Sequence, residues 1–185
     1  MRRGISVSPG VAVGTAFCIH EIFVNPARMY VGEADTAAEL ARYETARERA
    51  KHDLSTLEST IGNQAGRDAA AIFAAQGAIL RDLALTDKVR TWIIEERTSA
   101  QAALQRLLEL YKTVFSRVED ACLKERLDDI RDVILRINSH LQDRCETAPE
   151  GLEGPLIVVA DELLPSQVVR LGSMEVRGIV TQGGS

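Results

Sequence analysis

Few residues in this 185-residue chain could do chemistry, and most have an ordinary structural explanation. A neutral imidazole is a good nucleophile near neutral pH, so His20, His52 and His140 come first. His52 and His140 stand between polar neighbours in helical sequence and read as solvated, and His20 ends a strand. None is assigned a catalytic role. Cys18, Cys122 and Cys145 are odd in number and lack CxxC spacing. They read as reduced structural thiols, not as a disulfide framework or a metal site. The run Gln182-Gly-Gly-Ser185 has two readings. Gly183 and Gly184 taken alone form a turn; alternatively their backbone N–H groups approach an anion such as phosphate. Arg126 and Arg131 lie among Asp128, Asp129 and Asp132. They either pair with those carboxylates or contact a partner.

Composition narrows the function classes. Hydrophobic residues make up 45% and charged residues 26%, with a net charge of −5. That is an ordinary globular balance without the basic footprint of a nucleic-acid binder. No apolar run reaches the ~20 residues that span a bilayer. The opening MRRGISVSPG has no signal-type apolar stretch, so a cytoplasmic location is expected. A mildly acidic surface suits a basic protein partner.

The elements that must position these residues follow from periodicity. Val11–Ile19 reads as a strand, with Gly14 marking a bulge or a close backbone approach. Residues from about 35 to 145 read as helix throughout. Thr36-x-x-Glu39 looks like a capping box. It opens a stripe of Leu40, Tyr43, Ala50, Leu54, Leu57 and Ile61, interrupted by Arg47 and stopped by Gly62 and Asn63. Further helices are expected near 68–81 and 86–96. Another follows Thr98-x-x-Gln101, and a last one carries Leu123, Leu127, Ile130, Ile134, Ile137 and Leu141. This spacing builds an antiparallel bundle of two helical hairpins. Pro149, Gly151, Gly154 and Pro155 mark a linker. Leu156–Val159 and Gly178–Thr181 read as strands flanking a short helix over 164–171, with Pro165 in its first turn. The expected class is α+β. A small α/β domain (1–32 and 147–185) carries an inserted α-helical domain (33–146).

Four stretches resemble a known family. Gly4-Ile-Ser-Val-Ser-Pro-Gly-Val-Ala-Val-Gly14 is similar to the opening of the phosphoenolpyruvate-protein phosphotransferases, Enzyme I of the sugar phosphotransferase system. Leu123-Lys-Glu-Arg-Leu-Asp-Asp-Ile-Arg-Asp132 resembles its L-K-E-R-x-x-D-x-R-D helix, and Leu163-Leu-Pro-Ser166 its L-T-P-S turn. Gly178-Ile-Val-Thr-Gln-Gly-Gly-Ser185 resembles the run leading to its active-site T-S-H. The four span nearly the whole chain in the family's order.

The resemblance implies the N-terminal half of such an enzyme. A swivelling phosphohistidine α/β domain would carry an inserted helical domain that docks the phosphocarrier HPr. Phosphoenolpyruvate and Mg²⁺ would be bound only by a C-terminal barrel that this sequence does not contain, so no cofactor is expected here. The phosphorylated histidine is expected just past Ser185, and this chain alone is expected to be inactive. Thr181, Gly183 and Gly184 would form the loop at the phosphohistidine. The carrier would meet Asp68, Ala71, Ala75, Gln76, Ala78, Ile79 and Asp82, with Cys122, Arg126 and Arg131 alongside. The alternative for this stretch is bundle core, preferred for Ile72 and Leu80. Several positions depart from the family pattern. Gln76 stands for a frequent histidine, Arg67 and Arg81 for frequent acids, Val168 for a threonine and Cys122 for a tyrosine. A paralogue serving a nitrogen-regulatory or dihydroxyacetone-kinase carrier fits equally well. A dikinase-type swivelling domain is disfavoured by the helical insertion. A non-enzymatic docking protein leaves the Leu-Pro-Ser turn and the Gly-Gly run unexplained.

Overall fold

A computed structural model describes residues 5, 7–19, 29–115, 121–142, 154–160, 163, 165–172 and 174–182, without side-chain description at 121–125, 165–166 and 170. In order these form β1 (Thr15–Ile19), α1 (Thr36–Ala65), α2 (Arg67–Arg81), α3 (Leu83–Ile94), α4 (Ala100–Phe115), α5 (Ala121–Leu141), β2 (Leu156–Ala160), α6 (Pro165–Leu171) and β3 (Val176–Thr181). The chain is mostly helical with one small parallel sheet, an α+β fold. Two compact units emerge: residues 1–21 with 148–185, and residues 22–147. The first junction falls before the expected residue 32, because the chain ahead of α1 is tied to the helical unit. Ser99 N donates to Met29 O at 3.0 Å, and Val31 N donates to Arg97 O at 2.8 Å. Tyr30 bridges antiparallel to Thr98.

In the first unit β2 lies between β1 and β3, all parallel. Leu156, Val158 and Ala160 alternate as the buried face of β2, the period-2 pattern of a strand. Gly14 is a close approach, not a bulge. A Cβ there would lie 2.4 Å from Pro155 O, the carbonyl that accepts from Thr15 N at 2.9 Å. The strand begins only at Thr15, and Val11 and Val13 are exposed. β3 begins two residues before the expected Gly178.

In the helical unit α1 and α2 form a hairpin about Gly66, whose φ of 92° is the left-handed geometry that favours glycine. Gly62 does not stop α1. It lies against α2, with Ala70 Cβ at an ordinary contact distance, 3.6 Å, from where a Cβ would stand. Tyr43, Ala46, Ala50 and Leu54 are the buried stripe of α1. Ala46 therefore occupies the seam position, and Arg47 turns aside to pair with Glu44 and Glu48. Helix α5 packs on α1, α2 and α4, burying Ile130, Val133, Ile134, Ile137 and Leu141.

Neither predicted capping box forms. Asp35 precedes α1, and Thr36 Oγ1 donates back to Gly32 O. Ser99, not Thr98, caps α4, accepting from Ala102 N at 3.3 Å. Arg97 reaches a positive φ of 53° in the tight α3–α4 connection.

Candidate functional site

In the α/β unit the parallel strands bring their carboxyl ends, Ile19, Ala160 and Thr181, to one edge of the sheet. Loops leaving that edge of a parallel sheet are where ligands collect. Gln182 N donates to Ala160 O at 3.3 Å, so Thr181 and Gln182 leave the sheet along β2, both exposed. Gly183, Gly184 and His20 lie outside the described residues. Pro165 opens α6 as its first residue, and Val168 is exposed on that helix.

In the helical unit α2 divides its residues sharply. Asp68, Ala71 and Ala78 are exposed and Ala75 is half-buried, whereas Gln76 and Ile79 are inside. The groove as read from sequence placed Gln76 and Ile79 on its surface, and burial corrects both. Ile72 corrects the opposite expectation: it is 43% exposed, while Leu80 is core. The reason is phase. Ala70, Phe73, Gly77 and Leu80 face inward, and Ile72 falls off that stripe. The outward face of α2 therefore consists of small and apolar residues, with exposed Arg67 and Arg81 at its ends.

Asp82 is fixed at the turn into α3, where its carboxylate accepts from Ala84 N at 2.9 Å, a helix N-cap. The next residue, Leu83, is 70% exposed. Tyr111 on α4 lies within reach of the Asp82 charge. Partial burial, and then that charge, hold its phenol above the ordinary tyrosine range. Its ring stacks on Phe115 with centroids 6.1 Å apart.

On α5, Arg126 is exposed, Arg131 is half-buried, and the side chain of Cys122 lies outside the described ones. Asp132 is buried, and Gln76 Nε2 donates to its Oδ2 at 3.2 Å and to Asp129 Oδ1 at 3.4 Å. Asp128, Asp129, Arg131 and Asp132 hold further contacts of their own. Sequence reasoning missed the link from α2 to α5. The signal was a glutamine on the inward side of an apolar helix, since a buried amide needs partners.

His52 is exposed, and His140 Nε2 sits 2.7 Å from Asp53 Oδ2. Among the described residues no three His, Cys, Asp or Glu side chains gather as a metal site. Nor is any single helix among them long and apolar enough to cross a membrane. Among the described residues the arrangement presents an exposed face of small and apolar side chains on α2 and, in the sheet, the carboxyl ends of three parallel strands at one edge.

Residues 3–126 match the family model described as PEP-utilising enzyme, N-terminal. A phosphoenolpyruvate-protein phosphotransferase of Bacillus sp. (strain S) is 31% identical over 98% of this chain and 31% of its own length. That of Streptococcus equinus is 32% identical over 100% of this chain and 32% of its own. The chain thus spans about a third of the curated relatives it matches. A solution structure of an Enzyme I protein superposes with a TM-score of 0.71 at 28% identity, over 94% of this chain and 70% of that one. The N-terminal domain of a nitrogen Enzyme I gives 0.67 at 25% identity, over 96% and 72%.

Proposed function

We propose that this chain, which belongs to the N-terminal family of PEP-utilising enzymes, serves a phosphoenolpyruvate-protein phosphotransferase as its carrier-docking part and as the α/β unit that leads to the phosphohistidine. The observation that carries this reading is the superposition on an Enzyme I structure across 94% of the chain.

The division of labour follows from the two units. A carrier of the HPr kind docks on Ala71, Ala75 and Ala78, whose small side chains let a partner helix approach closely. Asp68, Asp82 and Arg126 at the rim set orientation and on-rate. A histidine beyond Ser185 accepts the phosphoryl on a neutral imidazole nitrogen, with Gly183 and Gly184 supplying the glycine-rich run next to it in the sequence. Mg²⁺ and phosphoenolpyruvate belong to a separate barrel; the Mg²⁺ would neutralise phosphate charge there, and the described residues of this chain supply no ligand set for it. The protein acts in the cytoplasm, in sugar transport.

A nitrogen-regulatory carrier is the second reading, favoured by the match to a nitrogen Enzyme I domain. Parallel affinity measurements with both carrier types separate the two.

The test of function is phosphotransfer. A longer chain that includes the histidine, mixed with a complementary C-terminal half and labelled phosphoenolpyruvate, should acquire acid-labile phosphate and pass it to HPr. The 185-residue chain treated alike should acquire none. Label on His20, His52 or His140 of the short chain, or none on the long one, contradicts the proposal.

A further inference from the structure

We infer that Gln76 is a positioning residue for carrier docking, because its amide joins the α2 docking face to the segment of α5 that bears Arg126. This inference rests on the docking function proposed above.

Gln76 is fully buried, and its Nε2 spans two carboxylates on α5, Asp132 at 3.2 Å and Asp129 at 3.4 Å. Its Oε1 has no hydrogen-bond partner among the described residues. Both amide hydrogens are thus committed to α5, at the expense of an orphaned acceptor. A glutamine serving only as filler would be replaceable by leucine at no loss, since a buried polar group is tolerated only for the bonds it makes.

The location of the link gives it meaning. On α2, Ala75 is the residue just before Gln76, and Ala71 and Ala78 lie within about a turn and a half of it on the outward side. On α5, Arg126 precedes Asp129 by three residues and so lies on the same face one turn away. Arg126 is exposed while Asp129 is half-buried, so the bond lies just beneath the surface that Arg126 occupies. The docking surface is drawn from two helices, and Gln76 sets the register between them. A slip there separates the small-residue face of α2 from the Arg126 guanidinium, while the flanking core of Phe73, Leu80, Ile130 and Val133 stays buried.

The experiment is a double-mutant cycle on the 185-residue chain, with HPr as the probe and calorimetric titration as the readout. Gln76→Leu should weaken binding about tenfold, the scale of losing hydrogen bonds to charged acceptors. Arg126→Ala should weaken it on its own but add little on top of Gln76→Leu, because Arg126 is already misplaced. Binding by Gln76→Leu within about twofold of the unmodified chain, or losses that multiply in the double variant, overturns the inference. Absence of HPr binding by the unmodified chain overturns the docking function itself, a distinct failure.

Should Gln76→Leu lose its helical circular dichroism, Gln76→Glu decides. At about pH 5.5 the new carboxyl, pressed against Asp129 and Asp132, keeps its proton and donates one hydrogen bond where the amide donated two; by about pH 8 it ionises and repels them. Its affinity relative to the unmodified chain should therefore fall between those values, and a ratio constant with pH overturns the inference.

Discussion

Glu39 Oε1, on the first turn of α1, accepts a hydrogen bond from Ala100 N at the start of α4, 2.8 Å away and 61 residues along the chain. Arg42 completes the junction. Its guanidinium pairs with Glu39 Oε2 at 3.1 Å and donates to Leu141 O at the end of α5. An anion thus meets a helix start and a cation meets a helix end, both favourable for the backbone dipoles. The helical unit is fastened by this pair where three helices terminate.

Removing that carboxylate exposes its value. Glu39 is buried at 8% exposure, so Glu39→Ala leaves the α4 N–H without a partner and should cost ~2 kcal/mol. Glu39→Gln keeps an oxygen acceptor and should cost less. Urea melts of both variants check the order, and equal losses would show that the hydrogen bond to Ala100 N is not the source.

Gly14 offers a test in the α/β unit. With a Cβ placed 2.4 Å from Pro155 O, Gly14→Ala must push β1 off the start of β2. The expected loss is on the order of 2 kcal/mol, with chemical-shift changes over Thr15–Ile19 and Leu156–Ala160. Unchanged strand shifts would mean that the two segments do not approach as described.

The large features were legible because they rest on long patterns: helices from apolar periodicity, and the parallel strands from short β-branched runs around them. The misses share a cause, which is that local signals yield to tertiary partners. Thr36 and Glu39 have the spacing of a capping box, yet Glu39 is taken by Ala100 N, a residue that no local rule connects to it. Gly62 looks like a stop, but packing against α2 carries the helix on to Ala65. In the candidate site the small residues of α2 were legible. The burial of Gln76 was not, since its partners Asp129 and Asp132 lie on a helix more than fifty residues away.

Tyr43 supplies a pH dependence. Its side chain is fully buried and its hydroxyl has no hydrogen-bond partner among the described residues. Burial raises its pKa far above the ordinary tyrosine value of 10.0. With the folded value raised, the stabilising difference is fully present below 10.0 and is lost as pH climbs toward the folded value. Tyr43→Phe should therefore be neutral or stabilising at pH 7, because an unpaired polar atom is removed. It should also flatten the alkaline fall in melting temperature. An alkaline fall as steep as in the unmodified chain would contradict this.

The helical unit is proposed to dock a phosphocarrier on the outward face of α2. An NMR titration of the labelled chain with HPr tests it most directly. Shifts should concentrate on Asp68, Ala71, Ala75, Ala78, Asp82 and Arg126, and Ala75→Glu should abolish them by placing a charge in the contact. Shifts confined to residues outside 68–131, or none with carrier at millimolar concentration, would contradict the account.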